Sequence, residues 1–194
     1  LYCGLSRDAS KEEILERINN NTITDILNKI EVKAGDVVMV KAGTIHAIGA
    51  GVFICEIQQN SNCTYRMYDY DRRDKFGNPR ELHVKKALDV VDNHKYIKDN
   101  KTEVVIARNE HFTEERLVQC KYFEVYKYDV NDEAKITVDE ASFVSVLFIN
   151  GSGTIETDDY EKTMEFKAGD SFFVSAGLRS IIIKGQATMV VTRV

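Results

Sequence analysis

Apolar positions recur at helical spacing in three short segments; elsewhere they gather in short runs. Ser10-Lys11-Glu12-Glu13 sets a hydroxyl three positions ahead of a carboxylate, a capping-box pattern, and Ile14, Leu15 and Ile18 follow it. This predicts a short helix over residues 10–19. Thr22 and Asp25 repeat the pattern ahead of Ile26, Leu27 and Ile30, which predicts a second short helix over 22–29. Past residue 30 the period changes. Val37-Val38-Met39-Val40 is a β-type run between Gly35-Asp36 and Ala42-Gly43, and residues 52–57 form another. Residues 81–91 return to helical spacing, with Val84, Ala87, Leu88 and Val91 on one face. The polar stretch 92–102 reads as a linker. Beyond it nearly every signal is a strand: Val104-Val105-Ile106, residues 122–128, 143–149, Thr154-Ile155, Phe172-Phe173-Val174, Ile181-Ile182-Ile183 and Met189-Val190-Val191. Gly151, Gly153, Gly169, Gly177 and Gly185 punctuate them. Short strands at this spacing predict a β-sandwich or barrel.

One pattern occurs twice. Lys33-Ala34-Gly35-Asp36, an apolar run and Ala42-Gly43 return as Lys167-Ala168-Gly169-Asp170, an apolar run and Ala176-Gly177, offset by 134 residues. A turn, a strand and a second turn are reused, so the chain holds two related β units. At the same offset His46 corresponds to Ser180, which confines any imidazole chemistry to the first copy.

A length of 194 residues suits one domain or two small ones. With 43% apolar and 29% charged residues it is an ordinary globular composition. Lys and Arg number 26 against 31 Asp and Glu, a net charge of −5, which argues against a nucleic-acid surface. No apolar run approaches ~18 residues, so no transmembrane helix and no membrane partner are expected. Cys3, Cys55, Cys63 and Cys120 form no Cys-x-x-Cys pair and read as reduced thiols in or near the core of a cytoplasmic protein. The chain starts at Leu1 with neither methionine nor a signal-peptide pattern, and Leu1-Tyr2-Cys3-Gly4-Leu5 reads as the end of a strand entering a turn.

Candidate chemistry lies between residues 46 and 83. His46 follows the glycine turn in Ala42-Gly43-Thr44-Ile45-His46; a neutral imidazole there suits a divalent metal or general-base work, and a lone histidine is otherwise a packed one. The stretch 56–66, from Glu56 through Gln58-Gln59-Asn60-Ser61 to Arg66, lacks the alternation of a half-buried strand, so several polar groups are candidates to face a cavity. Arg66 carries a planar cationic fork suited to phosphate or an enediolate oxygen. Arg72, Arg73, Lys75 and Arg80 follow, interleaved with Asp69, Asp71 and Asp74; a solvated charged loop is the plain reading of them. His83 precedes a helix, while His94 and His111 read as surface residues. Glu114-Glu115 and Asp158-Asp159 read as solvated turns.

Gly-Asp, an apolar run, then Ala-Gly-x-x-His resembles the second metal-binding motif of the cupin β-barrel. More extensively, AGDVVMVKAGTIHAIGAG, EIQQNSNCTYRMYDYDR and PRELHVKKALDVV resemble type I mannose-6-phosphate isomerases, especially the short bacterial form. Residues 1–30 are similar to that family's helical insertion and the strand-rich tail to its C-terminal cupin. The resemblance implies a mainly β bicupin (double-stranded β-helix, or jelly-roll) with a small helical insertion. Residues 1–100 would be a partial catalytic cupin and 101–194 a degenerate second one, the chain beginning inside an incomplete first barrel. It implies interconversion of mannose 6-phosphate and fructose 6-phosphate through a cis-enediol, with one zinc ion. His46 matches the last zinc ligand, Arg66 the active-site arginine, Glu56 an acidic residue of the substrate pocket, and Arg72 the place of a phosphate-contacting lysine in longer relatives. Two positions depart from the family. Asn62 stands where longer relatives carry an aspartate, and an amide is no base. The other zinc ligands of the family, a glutamine, a histidine and a glutamate, come earlier in the chain, yet no histidine precedes His46. The competing expectations are a metal-free cupin that binds a sugar phosphate or a partner without turnover and, lower in rank, a metal-dependent cupin oxygenase. An incomplete barrel with open strand edges also predicts a homodimer.

Overall fold

The computed structural model describes residues 1–61, 63–98, 104–157 and 163–194. The chain divides into two compact units, Leu1–Lys98 and Asp99–Val194.

In the first unit β1 (Tyr2–Leu5) runs antiparallel to β2 (Leu27–Lys29) on one side and to β3 (His46–Ala47) on the other. Helix α1 (Lys11–Asn19) starts as its cap predicts, with the Ser10 hydroxyl accepting the Glu13 N–H at 3.1 Å. Ile14 and Ile18 are buried against Leu5, Ile23, Ile26 and Met67, each side chain contributing about 1.5–3 kcal/mol. Leu15, expected on the same stripe, stays exposed. The predicted second helix is cut to one 3-10 turn, Ile23–Ile26, and Leu27–Lys29 becomes a strand. Two contacts explain this. The Thr22 hydroxyl donates to Asn20 Oδ1 and caps nothing, and β1 captures the following residues through Leu5–Leu27 and Tyr2–Lys29 pairs. Helix α2 (Val84–Val90) sets Val84, Ala87, Leu88 and Val91 against this core, as their spacing predicts.

The runs at 37–40 and 52–57 join no ladder with any described residue, contrary to expectation. β-propensity supplies only a willing backbone; a strand also needs a partner's N–H and C=O groups. Among the described residues no closed barrel is found. No helix of theirs is long and apolar enough to cross a membrane. Cys3 is buried, but Cys55 and Cys63 are exposed, so only part of the thiol set lies where the sequence suggests.

The second unit is an antiparallel eight-stranded sheet. Its strands are β4 (Val104–Arg108), β5 (Phe112–Gln119), β6 (Glu124–Val130), β7 (Glu133–Val138), β8 (Val144–Thr157), β9 (Thr163–Lys167), β10 (Ser171–Val174) and β11 (Arg179–Arg193). β8 and β11, 14 and 15 residues long, are each used twice. The first half of β8 pairs with β10 and the second with β9. β6 pairs with the last half of β11 and β7 with the first. Gly151, Gly153 and Gly185, expected as turns between short strands, instead lie inside these two. They are needed there: a Cβ on Gly151 would stand 1.9 Å from the Gln186 carbonyl oxygen, and one on Gly153 2.0 Å from that of Lys184. The four branches enclose one core, which contains Tyr128, Ile136, Phe148, Phe166, Ile183 and Met189. Glu114-Glu115, expected as a turn, is part of β5.

The internal repeat survives as geometry. Asp36 Oδ2 accepts the Lys33 N–H at 3.0 Å, and Asp170 Oδ2 accepts the Lys167 N–H at 2.9 Å. Gly35 and Gly169 share a φ of +92°, while Gly43 and Gly177 stand at +83° and +80°. The left-handed backbone explains why glycine holds all four places.

Candidate functional site

His46 is placed by the turn before it and the strand beside it. The left-handed turn at Gly43 lies against α2: a Cβ there would be 2.7 Å from the Val90 carbonyl oxygen, and the Asp92 N–H donates to the Gly43 carbonyl at 2.9 Å. His46 then pairs with Cys3 of β1. The imidazole is exposed, and its Nδ1 lies 3.1 Å from the Thr44 carbonyl oxygen. A carbonyl only accepts, so this contact requires Nδ1–H and leaves the Nε2 lone pair as the ligating atom. The second copy has no such group: Ser180 is buried, with 2% exposure.

Catalytic zinc takes three protein ligands as a rule. Among the described residues no three His, Cys, Asp or Glu side chains converge on one point. The described residues therefore present one oriented imidazole without a complete set of metal ligands around it.

Glu56 is exposed within the segment that joins no ladder. Arg66 is half-buried and tied to the residues that lead into α2. Its carbonyl accepts the His83 N–H at 2.6 Å, and its Nη1 donates to the Glu81 carbonyl at 3.2 Å. Among the described residues no hydrogen bond or ion pair joins His46, Glu56 and Arg66 to one another. Asn62 and Asp158-Asp159 lie outside the described residues, as does the end of the proposed linker.

Arg72 belongs to a different and tighter group. From Arg66 to Tyr70 burial alternates, with Met67 and Asp69 turned inward. A carboxylate thus takes a core position: Asp69 is 6% exposed. Its Oδ1 accepts a short bond from Arg72 Nη2 and lies 3.6 Å from Arg80 Nη1. Its Oδ2 is buried without a partner among the described residues, which costs about 1–3 kcal/mol. The chain then turns sharply. Tyr70 and Asp71 have φ of 57° and 49°, and the Arg72 N–H donates to the Asp69 carbonyl at 3.0 Å. Such a turn usually takes Asn, Asp or Gly, so Asp71 suits it, whereas the bulky Tyr70 in the left-handed region adds roughly 1–2 kcal/mol of strain. A second loop closes on Asp74, whose carboxylate accepts the N–H groups of Phe76 and Asn78 at 2.8 and 2.9 Å. Those bonds hold the Asp74 carboxyl below the usual carboxylate range. The loop pairs Arg73 with Pro79 and so returns Arg80 to Arg72. Arg73 itself is taken up by Asp71 at 3.1 Å and the Gly77 carbonyl at 3.2 Å.

The structure thus joins Arg72, one of the four candidates, to Asp69 and Arg80, which sequence reasoning left in a solvated loop. The i,i+3 spacing of Asp69 and Arg72 was the available signal; burial of the carboxylate was not.

Residues 113–194 match a family model described as mannose-6-phosphate isomerase, cupin domain. The chain is 41% identical over 190 residues to the putative mannose-6-phosphate isomerase YvyI of Bacillus subtilis, covering 95% of this chain and 57% of that protein. It is 33% identical over 193 residues to the mannose-6-phosphate isomerase ManA of the same organism, covering 94% of this chain and 56% of that protein. The crystal structure of the mannose 6-phosphate isomerase from Bacillus subtilis matches with a TM-score of 0.88 at 36% identity, over 100% of this chain and 60% of that one. The chain therefore spans a little over half the length of the curated relatives it matches.

Proposed function

Since the chain is homologous to mannose-6-phosphate isomerases across both units and carries their cupin domain at residues 113–194, we propose that the protein it represents interconverts mannose 6-phosphate and fructose 6-phosphate. The observation that carries this reading is the whole-chain likeness, which includes the segment holding His46, Glu56, Arg66 and Arg72 as well as the second unit.

Aldose–ketose isomerisation moves a proton between C1 and C2 through a cis-enediol. It needs a base, a cation for the developing oxyanion, and a grip on the phosphate that holds the sugar in place. Arg66 is proposed for the oxyanion: the Glu81 carbonyl fixes its guanidinium, and a guanidinium stays charged at any working pH. Glu56 is proposed to hydrogen-bond sugar hydroxyls, and Arg72 to hold the phosphate. A zinc ion would take His46 through Nε2 and would polarise sugar oxygens, but among the described residues no further donors complete its site. The reading carries with it a cytoplasmic location, in keeping with its sugar-phosphate substrate.

The test is fructose 6-phosphate formation from mannose 6-phosphate by the protein expressed from its own gene, with divalent metal supplied. Turnover supports the proposal. Binding of mannose 6-phosphate without turnover overturns it and leaves the metal-free sugar-phosphate binder.

A further inference from the structure

We infer that Asp69 is the positioning residue of an anion clasp, its buried carboxylate holding the guanidiniums of Arg72 and Arg80 side by side for the phosphate group of the substrate. The inference rests on the sugar-phosphate reading above and adds to it two residues, Asp69 and Arg80, and a geometry.

The exposure of the three side chains gives the clasp its direction. The Asp69 side chain is 7% exposed, while those of Arg72 and Arg80 are 61% and 53% exposed. The carboxylate lies beneath, and the two cations stand above it. Both address the same oxygen, Oδ1. One negative charge set against two positive ones leaves a surplus of one positive charge. The donors are also in surplus. Arg72 uses Nε on the Asp69 carbonyl and one Nη2 proton on Oδ1, which leaves its Nη1 protons without a partner among the described residues. Two guanidiniums kept together in this way repel each other, and an anion that bridges them relieves the repulsion.

A neighbouring arginine supplies the contrast. Arg73 is matched one to one with the exposed Asp71 and with a loop carbonyl, the arrangement of an ordinary surface pair. Arg72 and Arg80 instead share one buried partner. The chain reaches that arrangement through two consecutive left-handed residues and a closed loop on Asp74, with Asp69 Oδ2 left unsatisfied among the described residues. Strain and an orphaned buried oxygen at one spot point to function there more than to stability.

The experiment is calorimetric titration of the full chain with inorganic phosphate at low ionic strength, for the unaltered protein and for Arg72→Ala, Arg80→Ala, Arg73→Ala and Asp69→Asn. The expected result is at least a tenfold weakening in Arg72→Ala and Arg80→Ala and no change in Arg73→Ala. Asp69→Asn is expected to weaken phosphate as well, although it removes a negative charge. Weakening against that electrostatic trend is what a positioning role produces and a mere counter-charge does not. Unchanged affinity in Arg80→Ala overturns the clasp, and unchanged or tighter affinity in Asp69→Asn overturns the positioning role. Should Asp69→Asn not fold, the two exposed arginines decide the question. Mannose 6-phosphate displacing inorganic phosphate, with mannose unable to, supports the substrate's phosphate as occupant; phosphate retained against mannose 6-phosphate overturns that assignment. Absence of isomerisation with the arginine pattern intact removes the proposed function and leaves the clasp. Isomerisation with no arginine effect removes the clasp alone.

Discussion

Phe148 and Phe166 lie face to face, with ring centroids 3.7 Å apart and planes 10° apart. Phe148 belongs to the first half of β8, while Phe166 belongs to β9, which pairs with the second half. The two rings meet because β8 bends between them, so this stack reports that the sheet has folded over on itself. Phe148 is fully buried and also meets Phe172 edge-on, at 5.9 Å and 87°. Phe148→Ala is expected to destabilise the second unit by about 3–5 kcal/mol, read as a lowered midpoint in urea unfolding. A loss below about 1 kcal/mol would show that the core closes without it.

The bend makes a sharper prediction about two glycines that share the same left-handed conformation. At Gly151 an added Cβ would lie 1.9 Å from the Gln186 carbonyl oxygen, whereas at Gly169 nothing stands within 4 Å. Gly169→Ala should cost only the backbone strain, roughly 1–2 kcal/mol. Gly151→Ala adds a backbone collision that no rotamer relieves and should abolish cooperative unfolding of the second unit. Thermal melts of the two variants compare the effects directly. Equal melting temperatures would remove the bend as the cause.

The first unit carries a pH-sensitive brace. Glu13 accepts from Arg7 at 2.5 Å and from Arg17 at 2.9 Å, and its pKa falls from 4.5 to about 2, chiefly through the Arg7 bond. A depressed carboxylate pKa stabilises the folded state above its unfolded value, and that contribution is lost as pH falls through the folded value. The stability advantage of the unaltered chain over Glu13→Gln should therefore be constant above about pH 5, shrink below pH 4.5 and vanish near pH 2. A difference that stays constant to pH 2 would show that the brace is not ionic.

Arg66→Ala is the variant that tells a role in turnover from a role in folding. Arg66 is half-buried, and among the described residues its side chain hydrogen-bonds only to a backbone carbonyl, so Arg66→Ala should leave the melting temperature within a few degrees. If the isomerase reading holds, the same variant should lose about 100-fold or more in kcat, the usual scale for an oxyanion donor. Near-normal turnover would take Arg66 out of the mechanism.

Several features could be read from residue order alone because their causes lie within a few residues. The capping box at Ser10, the buried pair Ile14 and Ile18, and the apolar face of α2 are local effects of side chains three or four positions apart. The repeat of Lys-Ala-Gly-Asp was equally legible, and it is realised as two turns with the same side-chain bond and the same glycine φ. The likeness of residues 33–91 to an isomerase family also lay open in the order of residues.

Other features depended on partners far along the chain, where residue order carries no distance. Leu27–Lys29 has helical spacing, but β1 takes it as a strand. The apolar runs at 37–40 and 52–57 have strand composition and find no ladder among the described residues. β5 was missed because Glu114-Glu115 read as a solvated turn, whereas cross-strand pairing with Tyr128 and Lys127 holds them in a sheet. Gly151 and Gly185 read as breaks because glycine usually ends strands; only the close antiparallel pairing of β8 with β11 makes them part of two continuous ones. Asp69 is the same case at the candidate site. Among seven charged residues in twelve it reads as solvated, and burial turns it into the anchor of two arginines. Local order determines what a segment is able to form, whereas the free energy of burying a charge or pairing a strand is set by neighbours that only the folded chain brings together.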